Sequence, residues 1–331
     1  MSTITDKERI HALSQTVHDT TPETVEEFIS EHYQDDAVVR CPAPMDDCEG
    51  TEAIAQGLWE PLLTAFPDLQ RNDYILLGNE CDGEEWVAAT GDLVGTFEHE
   101  WLDIPPTEQA TFLRFGEFHR FEDGQIAETR LQIDMLDVLR QAGYTLFPSL
   151  APEITIPGPA THDGVMLDDR DPTESEQTLQ LVEDMIFEGL GSFEEEGLYG
   201  MGLDEYWHED FMWYGPAGIG TTRGIDGFQE YHQGPFLEAF PDRWSDEDDV
   251  RFAEDTYAAW HGWPSMFATH TGDGWLGLPA TGEDVTMRVM DFWRREEDRL
   301  AENWVFIDMI DLLDQIGVDV FGRIRNDSQY F

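Results

Sequence analysis

Fourteen residues near the C-terminus, WVFIDMIDLLDQIG from Trp304 to Gly317, occur in altered form 174 residues earlier as RLQIDMLDVLRQAG from Arg130 to Gly143. The same offset carries GTEAIAQGLWEPLLTAFPD at Gly50 onto GIDGFQEYHQGPFLEAFPD at Gly224, WLDIPPT at Trp101 onto WLGLPAT at Trp275, and FHRFEDGQIAE at Phe118 onto FWRREEDRLAE at Phe292. Solenoid repeats run about 20 to 50 residues, so a period this long describes a duplicated domain. The reading is a domain at residues 1–147, a linker at 148–173 that holds Pro148, Pro152, Pro157, Pro159 and Pro172, and a second domain at 174–331. Its prolines and sparse apolar periodicity predict an extended linker draped over the surface.

Each copy reads as helices followed by strands. Leu13, Val17, Val25, Phe28 and Ile29 recur at helical spacing between Thr5 and Tyr33, broken at Thr21-Pro22, and Thr51 to Phe66 is helical until Pro67 stops it. Ala37 to Arg40, Asp73 to Leu77, Glu85 to Phe97, Thr111 to Phe121 and Gln125 to Asp134 read as strands. Cys81-Asp82-Gly83 and Glu122-Asp123-Gly124 are the turns between them. Helices followed by an antiparallel sheet of four or more strands give an α+β class.

In both copies an extended segment runs into an aspartate, Asp134 or Asp308, just before a short helix. A carboxylate at the inward end of a strand is costly to bury unless something uses or pairs it, which makes these two the candidate reactive groups. The plain alternative is that each caps the helix it precedes. Trp304, Phe306 and Asp308 share one strand face, with Val305 and Ile307 on the other, so Asp308 is expected to look across an aromatic wall. His261, His270, Asp291, Trp293 and Trp260 complete that expected pocket if the strand from Ala258 is unbulged. Arg130 and Gln132 make the first copy's pocket more polar, with Arg130 placed to pair with Asp134 or Glu117. Eight of the eleven tryptophans fall in the second copy, which is therefore the favoured catalytic one.

The helix ending in AFPD, the W-L-x-x-P-x-T loop, the R-x-x-D-G-x-I-x-E hairpin and the aspartate nine residues before the Gly of LxQxG together resemble the SnoaL-like polyketide cyclases. These lie in the nuclear transport factor 2-like superfamily, which includes ketosteroid isomerase. The resemblance covers nearly all of each copy. It implies two tandem cone-shaped domains, each with N-terminal helices packed on a curved antiparallel sheet, and places the cyclases' general acid/base aspartate at Asp308 and Asp134. The implied reaction needs no metal or organic cofactor. The aspartate removes a proton between two carbonyls of a carbonyl-rich small molecule, and the enolate closes a ring by intramolecular aldol addition. A related isomerase or dehydratase, or a non-catalytic binding or scaffold protein in which the copies form an intramolecular pseudo-dimer or the chain a homodimer, are the alternatives on this fold.

Charge bounds the partners. The chain carries 71 acidic and 18 basic residues, a net charge of −53, and Lys7 is its single lysine. That is far beyond what solubility needs and reads as adaptation to a high-salt cytoplasm, where a Debye length of about 3 Å at molar salt screens self-repulsion. It argues against nucleic acid and against an anionic membrane surface. Cys41, Cys48 and Cys81 have no disulfide or zinc spacing, and His208-Glu209-Asp210 is too local to converge on a metal. Tyr214 to Arg223 lacks GxGxxG, and Asp246 to Asp249 reads as a solvated acidic loop. With no charged leader before an apolar run and no apolar run near 18 residues, a soluble cytoplasmic protein is expected.

Overall fold

The hairpin turns set the strand register. Asp82 and Gly83 have φ of 54° and 84°, and Asp123 and Gly124 have 52° and 81°. A two-residue turn with both residues at positive φ matches the twist of the strands it joins, and glycine takes that conformation without strain. The computed structural model describes residues 3–168, 170–190, 201–245 and 249–327. Asp246, Glu247 and Asp248 of the predicted acidic loop lie outside the described residues. Asp249 does not lie in solvent: it is buried, and its Oδ2 accepts a hydrogen bond from Trp260 Nε1 at 2.7 Å.

The chain divides into two compact units, and neither is a continuous stretch. The first comprises Met1–Leu146, Thr161–Asp168 and Asp308–Phe331, the second Phe147–Ala160 and Asp169–Ile307. Parts of the proline-rich segment are held by hydrogen bonds within each unit. In the first, Leu76 N–H donates to Gly164 O and Met166 N–H to Leu76 O, both at 2.9 Å, alongside an edge strand. In the second, Thr221 N–H donates to Glu153 O at 2.7 Å, and Trp304 Nε1 donates to Pro157 O at 2.8 Å. Unpaired strand edges are thereby covered.

In the first unit, helices Thr3–Thr16 and Val25–His32 precede a six-stranded sheet. The strands are β1 (Tyr33–Arg40), β2 (Cys48–Glu49), β3 (Gln70–Cys81), β4 (Glu84–Thr96), β5 (Ala110–Glu122) and β6 (Gln125–Ile133). Their order is β2-β1-β6-β5-β4-β3, antiparallel except for the parallel β1–β6 pair. The second unit repeats this with β7 (Trp207–Tyr214), β8 (Thr221–Arg223), β9 (Val250–Glu254), β10 (Tyr257–Thr269), β11 (Asp284–Glu296) and β12 (Arg299–Ile307), in the order β8-β7-β12-β11-β10-β9. Both units therefore have the expected α+β architecture.

The helix expected at Thr51–Phe66 widens into a π-helical turn at Ala55–Trp59, and its counterpart does so at Gln229–Gln233. A proline follows within two residues in each copy, Pro61 and Pro235. Proline has no N–H to complete the α-helical ladder, which accounts for a local change of turn there. In the second unit this turn carries His232 and Gln233, and the site is built around them.

Candidate functional site

A cavity of about 250 Å³ lies within the second unit between the sheet and its helices. The pleat decides which residues reach it. Met287, Val289, Asp291 and Trp293 of β11 and Asn303, Val305 and Ile307 of β12 line it, every second residue of two paired strands. Trp260 enters from β10, Trp207 and Trp213 from β7, and Phe228, His232, Gln233 and Phe236 from the helical side.

The polar groups on this wall are fixed by their neighbours. Asn303 Nδ2 donates to Asp291 Oδ1 and to Phe292 O, both at 3.1 Å. Trp260 packs between Phe187, with ring centroids 5.7 Å apart, and the Arg251 guanidinium 4.9 Å above its ring, while its indole N–H holds Asp249. Gly262 is required beside that carboxylate, because a Cβ there would overlap Asp249 Oδ1 and Ser265. β10 shifts register between Gly262 and Met266, and Ser265 and Met266 both reach the cavity. His232 stacks on Trp213 with centroids 4.0 Å apart and planes 16° from parallel, with Phe228 and Phe236 at 5.3 and 5.5 Å. Burial pushes its imidazole down to about 3, so the ring stays neutral near pH 7.

Of the residues expected at a pocket, the structure brings Trp260, Asp291 and Trp293 to this cavity. Trp304 and Phe306 are buried on the other face of β12, where Trp304 stacks on Tyr214 at 5.3 Å and Phe306 meets Phe292 edge-on at 6.4 Å. The alternation read from the sequence holds, and the cavity lies on the Val305 and Ile307 side. His261 is fully buried with Nδ1 3.1 Å from Val289 O. His270 sits with Phe240 and Trp275, its Nδ1 3.1 Å from Thr281 Oγ1, and burial lowers its pKa. Neither histidine lines the cavity.

Both end-of-strand aspartates act as helix caps. Asp134 and Asp308 are buried, and each accepts from the backbone N–H three residues on, Asp137 and Asp311, at 3.2 Å. Asp308 Oδ2 also accepts from Ala43 N–H at 3.0 Å within the first unit, and Asp134 Oδ2 lies 3.7 Å from Arg114 Nη1. Arg130 pairs with Glu128 at 2.7 Å rather than with Asp134 or Glu117, and its guanidinium lies over Trp86. Gln132 is buried, with neither end of its amide partnered among the described residues.

The first unit uses the equivalent positions differently. At the 174-residue offset Glu117, His119 and Thr129 stand where the second has Asp291, Trp293 and Asn303, and Arg71 reaches this group from β3. Arg71 Nη1 bonds Glu117 Oε2 at 2.6 Å, His119 Nε2 lies 3.2 Å from the same carboxylate, and His119 Nδ1 lies 2.9 Å from Thr129 Oγ1. Burial alone would raise the Glu117 pKa, but Arg71 and His119 outweigh it and hold it at about 2. This carboxylate is committed to an ion pair.

Sequence reasoning missed His232, Gln233, Asn303, Asp249, Trp207 and Trp213. The signal for the first two was present in the aligned helices: His232 and Gln233 replace Leu58 and Trp59, which are buried apolar residues in the other copy.

Among solved structures, this chain is similar to a candidate SnoaL-like polyketide cyclase from Jannaschia sp. CCS1, at 21% identity over 40% of this chain and 91% of that one, with a TM-score of 0.35. It is also similar to AclR, a candidate hydroxylase from Streptomyces galilaeus, at 23% identity over 44% and 87%, with a TM-score of 0.36. IdmH, a candidate polyketide cyclase from Streptomyces antibioticus, matches at 23% identity over 42% and 99%, with a TM-score of 0.35. A comparison with curated proteins gives no match. The sequence profile of one family matches residues 10–142 and 201–316, once in each copy and over well more than half of the chain, and the protein therefore belongs to the SnoaL-like polyketide cyclase family.

Proposed function

We propose that the second unit houses a cofactor-independent cyclase-type reaction on an apolar, carbonyl-rich small molecule, with Asp291 as general acid/base. The observation that carries this reading is a carboxylate on the wall of an aromatic cavity, with one oxygen oriented by the Asn303 amide. Asp291 takes a proton from carbon between two carbonyls, and the C–H electron pair delocalises into an enolate. The enolate carbon attacks a third, more distant carbonyl of the same molecule, forming the ring C–C bond as that C=O π pair moves to oxygen, and the new alkoxide recovers the proton from Asp291. Holding the enolate carbon against that carbonyl in one enclosed space supplies the orientation that speeds ring closure. Asp308 takes second place as the acid/base, since its oxygens serve a helix N-terminus and Ala43 N–H.

The test is cyclisation of linear poly-β-keto esters at molar salt by the wild type, Asp291→Asn and Asp308→Asn. General acid/base loss predicts a fall of roughly 100-fold or more for Asp291→Asn. Equal turnover by that variant and the wild type overturns the assignment, and selective loss in Asp308→Asn transfers it to Asp308. The second reading is a binding protein, in which the cavity holds a ligand without changing it. It is supported by the same lining residues, and product-free binding by the wild type would establish it.

A further inference from the structure

Spacing along the chain does not pair Cys41 with Cys48, but the hairpin they flank does. β1 and β2 run antiparallel with Val39 opposite Cys48. Cys41 lies two residues beyond Val39, so it falls on the same face as Cys48 and diagonal to it. Asp47 Oδ1 accepts from Cys41 N–H at 3.0 Å, which folds the connecting loop back on itself. The two thiols then hydrogen-bond to each other. An S–S bond is about 2.05 Å long, so about 2 Å of sulfur movement separates this contact from a covalent link. Both cysteines are buried and both are reduced, while the loop joining them exposes Pro44, Asp46 and Asp47 to solvent.

The hairpin does not need this sulfur pair to form. In the second unit β7 and β8 pair Trp213 with Thr222 in the same register, and Gly215 and Thr222 stand at the two cysteine positions. Contact makes the two thiols chemically unequal. The Cys41 S–H draws the Cys48 thiol below its ordinary pKa, and the same bond together with burial pushes Cys41 up. Asp46 and Asp47 oppose ionisation of both, which slows their reaction without changing the order. Cys48 is the nucleophile of the pair and Cys41 the thiol that resolves it. The loop between them has a further attachment, since Ala43 N–H donates to Asp308 Oδ2 at 3.0 Å within the first unit.

We infer that Cys41 and Cys48 are a peroxide-oxidised dithiol that closes to an intramolecular disulfide and fixes the loop carrying Ala43. The Cys48 thiolate attacks one oxygen of hydrogen peroxide, the O–O bond breaks, hydroxide leaves and Cys48 becomes a sulfenic acid. The Cys41 sulfur, losing its proton, attacks the Cys48 sulfur; the S–O bond breaks, a second hydroxide leaves and the S–S bond forms. The two thiol protons and the two hydroxides make two waters. The sulfurs together lose the two electrons that peroxide gains. This site belongs to the first unit and is independent of the reaction proposed for the second.

The experiment is treatment of the full-length protein with hydrogen peroxide in molar salt at pH 8, followed by unfolding, alkylation and peptide mapping without reductant. The expected product links the peptides of Cys41 and Cys48, two hydrogens lighter than the reduced pair, and dithiothreitol restores both thiols. Cys81, which is part-buried, stays outside the link and reports exposure to the oxidant. In Cys41→Ser the reaction is expected to stop at a Cys48 sulfenic acid that dimedone traps. In Cys48→Ser no link forms, and dimedone labelling of Cys41 is expected to be at least about 10-fold lower. Amide hydrogen exchange across residues 42–47 of the wild type is expected to slow by about 10-fold or more on oxidation. Two alkylatable thiols at Cys41 and Cys48 after Cys81 has been oxidised, a link made through Cys81, or sulfinic acid at Cys48 of the wild type overturns the dithiol. Unchanged exchange in the linked protein overturns the fixing of the loop.

Discussion

Asn303 donates its amide N–H to Asp291 Oδ1 at 3.1 Å across the β11–β12 pair, and both side chains lie on the cavity wall. The second Asn303 bond, to Phe292 O, fixes which end of the amide faces the carboxylate. An acceptor in place of that donor would repel Asp291. Asn303→Asp is therefore expected to reduce turnover by 10-fold or more and to shift the acid limb of the pH–rate profile upward. Asn303→Ser, which keeps a donor, is expected to retain part of the activity.

The helix-capping aspartates affect stability, and unequally. Asp308→Ala removes a side-chain cap and the acceptor of Ala43 N–H, and is expected to lower unfolding free energy by about 2 kcal/mol. Asp134→Ala also removes the carboxylate nearest the buried Arg114 guanidinium, so its cost is expected to be larger, about 3 kcal/mol. Denaturant titration in molar salt, at constant slope, measures both.

His232 makes the fold acid-sensitive. Its folded pKa of about 3 lies below the 6.5 of the free side chain, so between these values the unfolded chain binds the extra proton. The stability it contributes is fully present above about pH 6.5 and is lost as pH falls toward 3. His232→Leu, which restores the residue type of Leu58, is expected to reduce the drop in denaturation midpoint between pH 7.5 and pH 5. An unchanged drop would show that the ring is accessible to water.

Glu117 acts in a lower window. With its pKa held at about 2 against an ordinary 4.5, it stabilises the first unit above about pH 4.5, and that contribution disappears as pH falls toward 2. Glu117→Gln is expected to flatten the stability profile between pH 5 and pH 2. It should leave turnover in the second unit intact, as the cyclisation assay would report.

Gly262→Ala tests the seat of Asp249. The added methyl meets Asp249 Oδ1 and Ser265, so the carboxylate has to leave Trp260 Nε1 or the strand has to move. Overpacking of this kind costs about 1 to 3 kcal/mol. The expected signature is a changed Trp260 environment in near-ultraviolet circular dichroism together with a lower denaturation midpoint.

Much of the fold was legible because it rests on local chemistry. The Asp-Gly turns, the prolines that end or distort helices and the period-2 strands act over a few residues, and the 174-residue repeat lets each copy check the other. The site was less legible. Trp304 and Phe306 were correctly placed on one face with Val305 and Ile307 on the other, but which face meets a cavity depends on where the helices lie. Asp308 and Asp134 were open between reactive group and helix cap. The bonds to Asp311 and Asp137 show the capping geometry.

By itself the sequence determined a duplicated α+β unit with its hairpin turns, because repeat, pattern and turn chemistry are properties of neighbouring residues; of the pocket residues it offered, Asp291, Trp293 and Trp260 reach the cavity and the other six do not. Only the tertiary structure decided that Asp308–Phe331 and Thr161–Asp168 belong with the first unit, and that Glu117 is ion-paired where Asp291 faces a cavity. It also gathered His232, Gln233, Trp207 and Trp293 into one wall. Those outcomes depend on which distant side chains share a volume, and burial gives a carboxylate or an indole N–H its consequence only once its neighbours are in place.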